Sequence, residues 1–245
     1  MDGDERRPPV FIVAVLGRIR GLSRRKLVVG SGVLTTLVVV ALLLALVPTG
    51  VLGLVVSDSA SLNATPATPD NETLTDTGYE LNDTDTVTVE RQFTVAGRDR
   101  TVVVNNPQRV YHKPVAVGNR TVTGGVFATA STPAINVAGS PRNPIAEESH
   151  RELLGRFQSN LGVADTATVE NVTTHEAVML GSQTTVTQFE TNLSVDGERR
   201  EFAIYVTTAR AGGDIVVAIG GHPTAFADER VAIMRLIYAV EAGGR

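Results

Sequence analysis

From Leu27 to Val56 the chain carries no charged residue, and this run sits directly behind Ser23-Arg24-Arg25-Lys26 and directly ahead of a segment rich in Ser, Thr, Asn and Asp. Val28–Val47 alone, ahead of the helix-breaking Pro48, covers about the 30 Å hydrocarbon thickness of a bilayer at the helical rise. The sequence therefore predicts one transmembrane helix over 27–56. Residues 1–26 hold seven Arg and Lys against three Asp and Glu, whereas residues 57–245 hold fifteen against twenty-three. The positive-inside rule then makes 1–26 a cytoplasmic basic tail and places the carboxy-terminal part outside the cell. A cleaved secretory signal is the competing reading, with small residues at Ser57–Ala60, but the run exceeds the usual core of such signals. Ser23–Val28 fits both a twin-arginine export signal and a plain basic membrane flank, and the two stay open. Pro9–Leu22 reads as an interfacial helix rather than a second span.

The charge pattern also bears on habitat and partners. Only two Lys, Lys26 and Lys113, stand against twenty Arg, in a chain rich in Val, Ala, Thr, Asp and Glu. An acidic surface that avoids the long Lys stem stays hydrated and self-repelling in concentrated salt, which points to a halophile. The acidic outer part argues against nucleic acid as a partner and leaves the lipid bilayer, another cell-surface protein or a glycan. There is no Cys, so disulfides and thiolate metal sites are excluded.

Residues 57–78, small and polar with Pro66 and Pro69, read as a solvated extracellular linker. Acceptor sites of the form Asn-x-Ser/Thr fall at Asn63, Asn71, Asn82, Asn119, Asn171 and Asn192 and make these glycosylation candidates.

A folded extracellular domain is expected over 79–245. Alternating apolar residues predict a hairpin over 86–105, then strands at 109–117 and 121–130. A Pro- and Gly-rich loop from Ser131 leads to a helix that places Ile145, Leu153, Leu154, Phe157 and Leu161 on one face. Strands follow at about 166–180, 183–195, 200–208 and 214–220, with Asp196-Gly197 as a hairpin turn. A last helix, about 225–241, presents Phe226, Ile233, Met234, Ile237 and Val240. Strands joined by tight turns imply an antiparallel sheet, and two amphipathic helices bury one stripe each against it, so the fold class is α+β. The order of elements is similar to that of the Mog1 and PsbP-like fold.

Several pieces carry a further resemblance: Gly78-Tyr79-Glu80, Val95–Gly97 followed by Val102–Asn105, Tyr111 and Lys113, Phe127–Pro133, Gly139, and Asn143-Pro144. In their order and spacing, over most of 78–240, the outer domain resembles a family of uncharacterised haloarchaeal surface proteins, domain of unknown function 6517. Members of that family often look like lipoproteins, and this chain has a transmembrane run in place of the lipidated cysteine. The resemblance implies no activity and no cofactor.

Catalytic signatures are thin. His112, His150, His175 and His222 lack metal-ligand spacing, Gly181-Ser182-Gln183 is no nucleophile elbow, and the Gly pairs at 212–213 and 220–221 open no helix directly. The expectation is therefore no catalytic residue, no metal and no cofactor, and a membrane-anchored binding or structural module of a cell surface. The alternative is a surface hydrolase using carboxylates such as Glu147 and Glu148. As a binding site the sequence offers Tyr111, Lys113, Arg142 and Asn143, gathered around the Ser131–Asn143 loop, because loops on a rigid scaffold carry recognition groups. The plainer roles are a guarding strand-edge Lys and a brace for the helix at Ile145.

Overall fold

The computed structural model describes residues 59–95, 98–137, 140–154, 170–195 and 198–243. The run Leu27–Val56 lies outside them, and no helix among the described residues is long and apolar enough to cross a membrane. The fold is sheet-dominated, with few helices and a large antiparallel sheet. In chain order the elements are β1 (Ser59–Asn63), β2 (Ala67–Pro69), α1 (Asn71–Thr77), β3 (Glu80–Val95), β4 (Arg98–Val117), β5 (Arg120–Thr132), β6 (Ile135–Val137) and β7 (Ser140–Arg142). A 3-10 turn at Pro144–Glu147 and a helical turn at 150–154 come next. Then follow β8 (Glu170–Met179), β9 (Ser182–Val195), β10 (Glu198–Ala211), β11 (Asp214–Pro223), α2 (Glu229–Tyr238) and β12 (Val240–Ala242).

Eight strands form one sheet in the order β3, β4, β5, β11, β10, β9, β8, and β1 lies parallel on β4 beyond the end of β5. Each neighbouring pair other than β1 with β4 is antiparallel. Hairpin turns set the registers: Met179 faces Ser182 across Leu180 and Gly181, whose φ values of 53° and 72° are what a two-residue type I′ turn needs. The central strand β11 is buried at six successive positions, 215–220, so it is covered on both faces and reads as a continuous apolar run. Its alternate residues feed two cores. Val216 and Ala218 join Phe127, Met179, Tyr205, Ile233, Leu236 and Ile237 under α2. Ile215, Val217 and Ile219 join Phe189, Val206, Ile145, Leu153 and Leu154 on the other face. Burying each of Ile233, Leu236 and Ile237 contributes about 1.5–3 kcal/mol. Gly220 lets α2 come this close, since a Cβ there would meet the Ile233 side chain.

Four details depart from the sequence reading. First, the expected linker 57–78 is folded from Ser59 onward. Asp70 caps α1 by accepting from Thr73 N at 2.7 Å, Gly78 closes it in the left-handed conformation at φ 72°, and β2 pairs with β12. Its polar composition hid this because α1 offers one apolar residue, Leu74, and the buried residues are small, Ala64, Ala67, Pro69 and Thr77. Second, the strands expected on either side of Pro107 are one strand, β4. Proline lacks the ladder N–H, and Pro107 falls where β4 passes from β1, paired through Asn105, to β5, paired from Gln108. Third, the two helical elements lie on opposite faces of the sheet. Ile145 sits in the 3-10 turn, Leu153 and Leu154 in the helical turn after it, and Phe157 and Leu161 lie outside the described residues. Fourth, α2 begins at Glu229, after tight turns from Phe226, and gives way to β12 rather than running to 241.

The strands β3 and β4 also outrun the sheet. The last β5 residue, Thr132, reaches only the level of Asn106, and from there to Arg98 eight further residues extend about 26 Å at the strand rise. Among the described residues β1 is the further strand that pairs with this arm. A polar ladder stitches its three strands: Thr88 Oγ1 donates to Asn105 Oδ1 at 2.7 Å, and Asn105 Nδ2 donates to Asn63 Oδ1 at 2.7 Å.

Candidate functional site

The residues offered by the sequence do not converge. Tyr111 is a core side chain, 2% exposed and tilted against Phe127 with ring centroids 6.3 Å apart. Burial pushes its phenol up to about 12. Asn143 is buried too. Its Oδ1 accepts from Ile145 N at 3.2 Å and its Nδ2 donates to the Thr132 and Pro133 carbonyls, so it caps the 3-10 turn and holds it to the end of β5. Arg142 lies in β7 opposite Ile135. Lys113 pairs with Gly125 on β5, whereas Asn143 binds Thr132, seven residues along the same strand, so about 23 Å separates the two places. Of the glycosylation candidates, Asn71, Asn82, Asn119 and Asn192 are exposed, Asn63 is exposed but accepts from Asn105, and Asn171 lies in β8.

Lys113 instead belongs to a polar cluster under the start of α2. The left-handed turn at Gly78 delivers Tyr79 onto the helix-bearing face of the sheet, where it is 2% exposed. Glu229, the first residue of α2, meets both partners: its Oε1 lies 2.6 Å from Lys113 Nζ, and its Oε2 accepts from the Tyr79 hydroxyl at 3.2 Å. The floor is Gly125, where a Cβ would run into the Tyr79 hydroxyl and stand 3.3 Å from Glu229 Oε2. Lys113 Nζ lies 6.0 Å from the Tyr79 ring centroid, at the limit of a cation–π contact. Burial, then the Glu229 charge, raises the Tyr79 phenol far above its ordinary value, so it stays a donor.

On β11, His222 is 3% exposed and stacks on Tyr205, ring centroids 5.7 Å apart. Its Nδ1 faces the Pro223 carbonyl at 2.8 Å and its Nε2 the Tyr205 hydroxyl at 3.2 Å. A carbonyl only accepts, so Nδ1 carries the proton and Nε2 accepts from Tyr205. Burial lowers the imidazole below its ordinary value, against the opposing pull of the Pro223 bond and the Glu229 charge, which keeps the ring neutral.

Chemically the cluster is a clamp. Both carboxylate oxygens of Glu229 are engaged, and the three groups tie the entry of β3, the strand β4 and the first residue of α2 together. Sequence reasoning found Lys113 through its rarity but missed Tyr79, Gly125 and Glu229, which lie up to 150 residues apart in the chain. A compact ammonium on a flexible stem suits this place better than a planar guanidinium.

A second feature is an open groove of about 380 Å³ lined by Glu148, Ser149, His150, Arg151, Thr185, Thr187 and Phe189. Its Ser and His are not arranged as a nucleophile and base. Ser149 and Glu152 form a reciprocal capping box, with Ser149 N donating to Glu152 Oε2 at 2.8 Å and Glu152 N to Ser149 Oγ at 3.3 Å. His150 Nδ1 is held by Thr187 Oγ1 at 2.7 Å, and burial lowers its pKa. Arg151 lies over the Phe189 ring, 5.9 Å from its centroid. Among the described residues, no group of three His, Asp or Glu is placed to hold a metal ion.

The clamp, the two cores and β2 through most of β12 all fall within residues 66–241, which match the model of the family described as Domain of unknown function (DUF6517). The chain belongs to that family. In this DUF6517 protein, β1 and everything before it precede the matched region. No curated protein matches the chain. Among solved structures it is similar to a protein of unknown function from Pseudomonas aeruginosa, at 9% identity over 58% of this chain and 90% of that one, with a TM-score of 0.29. A likeness of that size carries no argument about function.

Proposed function

We propose that this DUF6517 protein is a single-pass membrane protein whose folded domain stands outside a haloarchaeal cell as a tethered binding or structural module. The observation that carries the reading is the uncharged run Leu27–Val56, basic on its amino-terminal side and followed by an acidic remainder of the chain. On this reading the folded part starts soon after the span, because β1 begins at Ser59, only three residues after Val56. The domain then has no long stalk and rides close to the bilayer surface. Acidic composition with Arg in place of Lys fits a surface bathed in salt, and the exposed sequons at Asn71, Asn82, Asn119 and Asn192 fit an exported face. Protease added to intact cells should digest the domain and leave a small amino-terminal fragment in the membrane. Recovery of the full-length protein, with the same protease active on lysed cells, would sink the orientation.

A further inference from the structure

We propose that Asn119 carries a covalently attached oligosaccharide that shields an apolar hairpin finger, an inference that rests on the reading above of an exported domain. Two separate observations lead to it. The first is the finger itself. β3 begins at Glu80, facing His112 on β4, and the last β11 residue paired with β5 is Gly221, facing Val126. Beyond these levels, among the described residues, Pro114–Val117 and Arg120–Thr123 pair with each other and with no third strand, and their four pairs extend about 13 Å at the strand rise. The finger reads Pro-Val-Ala-Val, a turn, then Arg-Thr-Val-Thr, with Arg120 as its one charge. Val117 is 51% exposed, and Pro114 and Ala116 are exposed near it. A short, β-prone, nearly uncharged segment with unpaired edges is the kind that pairs with a neighbouring chain. In molar salt the screening length falls to about 3 Å, so the acidic remainder of the surface no longer holds neighbours apart. Pro114 removes one N–H from the β4 edge and Arg120 puts a charge at the tip, but Ala116 and Val117 stay open.

The second observation is the acceptor at that tip. Gly118 and Asn119 form the two-residue turn, with Gly118 at φ 60° as the first central residue of a type II′ turn requires. All three residues of Asn119-Arg120-Thr121 are exposed, and among the described residues neither the Asn119 nor the Thr121 side chain is held by a hydrogen bond. The other described acceptors are less open. Asn63 accepts from Asn105, the Thr73 hydroxyl that completes the Asn71 site is bound to Asp70 Oδ2 at 3.1 Å, and Asn192 lies in the β9–β10 ladder opposite Glu201. Asn82 is exposed, but in a bulge of β3 rather than in a turn.

The chemistry is a glycosyl transfer. Asn119 Nδ2 attacks the anomeric carbon of a phosphate-activated oligosaccharide held by a transferase outside the cell. The carbon–nitrogen bond forms as the bond from that carbon to the phosphate oxygen breaks. The electron pair stays with the departing phosphate and one Nδ2 proton goes to solvent. The bulky, hydrated product stands over Val117 and bars a second protein surface, while small reagents still pass.

The full chain is purified in detergent from the membranes of the cell that makes it and digested with trypsin. Cleavage after Arg109 gives a peptide that begins at Val110 and holds Asn119 as its one acceptor site, whether or not Arg120 is cut. Most of this peptide should carry the added mass of sugar residues. Asn119→Gln and Thr121→Val should abolish the addition and Thr121→Ser should keep it, all with the parent's melting temperature, since both positions are exposed. In molar salt, sedimentation should show Asn119→Gln and Thr121→Val self-associating about tenfold more tightly than the parent, the equivalent of covering the exposed part of Val117 on each of two copies. Adding Val117→Asp to Asn119→Gln should return the chain to the parent's state. An unmodified peptide from chains whose domain is digested by protease on intact cells overturns the inference and leaves the exported reading standing. An unmodified peptide from chains that protease reaches only after lysis overturns both. A modified peptide with Asn119→Gln no more associated than the parent overturns the shielding.

Discussion

The clamp can be broken at its floor without touching any charged group. Gly125 has ordinary strand backbone, since it is not among the glycines with positive φ, so alanine adopts its conformation freely and even gains about 0.4–1 kcal/mol through the unfolded chain. The added methyl, however, collides with the Tyr79 hydroxyl and lies 3.1 Å from Tyr79 Cζ. Tyr79 is 2% exposed and has no room to swing aside, so its bond to Glu229 must lengthen or break. Losing a hydrogen bond to a charged group costs about 1.5–3 kcal/mol and overpacking a filled site about 1–3 kcal/mol, which leaves a net loss of about 2–4 kcal/mol for Gly125→Ala. For a domain of this size that lowers the melting temperature by roughly 5–15 °C. Tyr79→Phe removes the colliding oxygen at the cost of the same hydrogen bond. In that background Gly125→Ala should be far milder, so the double variant should fall short of the sum by about 1.5–3 kcal/mol. The assay is urea unfolding of the full chain in detergent micelles, followed by circular dichroism for the four members of the cycle. Additive losses, or a Gly125→Ala protein within about 0.5 kcal/mol of the parent, would refute the packing argument.

Further outcomes follow from the same geometry. Lys113→Met strands a Glu229 carboxylate whose side chain is 6% exposed and should cost about 3–5 kcal/mol, whereas Glu229→Gln keeps a partner for Tyr79 and leaves an ammonium still 26% exposed, so it should cost less; the two denaturation midpoints check the order. Asp70→Ala should lose about 1 kcal/mol through the α1 cap, a loss that a solvated linker could not show. His150 and His222 both have lowered folded pKa values, so their contribution is intact above the unfolded value of about 6.5 and is lost as pH falls below it; a melting curve taken downward from pH 7 should decline, and less steeply in His222→Asn.

How far the sequence carried depends on whether the deciding contacts were local. Hairpins were legible because β-branched alternation and a two-residue turn lie within one window, as with Val95 facing Arg98 and Val195 facing Glu198. The apolar positions Ile233, Met234 and Ile237 announced α2, although its first residue did not, because Asp228 makes no side-chain cap. The fold between Ser59 and Gly78 stayed hidden for the opposite reason. It is held by pairing with β4 and β12 and by small buried side chains, none of which produces an apolar period. The site was the least legible part. Lys113 stood out by rarity, but its partner Glu229 reads as an ordinary first-turn acid and Tyr79 as the start of a strand. Asn143 looked like a recognition group in a long loop because its acceptors, Thr132 and Pro133, are brought together only when β5 ends beneath it.

The proposed membrane-anchored role requires the domain to stand on the outer side of the bilayer. The cysteine-free chain allows a direct measurement, with one residue placed on each side of the run: Gly3→Cys in the basic tail and Val117→Cys at the exposed end of β4. A membrane-impermeant maleimide applied to intact cells should label Val117→Cys at once and Gly3→Cys only after lysis. Labelling of Gly3→Cys in intact cells with Val117→Cys protected, or recovery of both in the soluble fraction, would contradict the account.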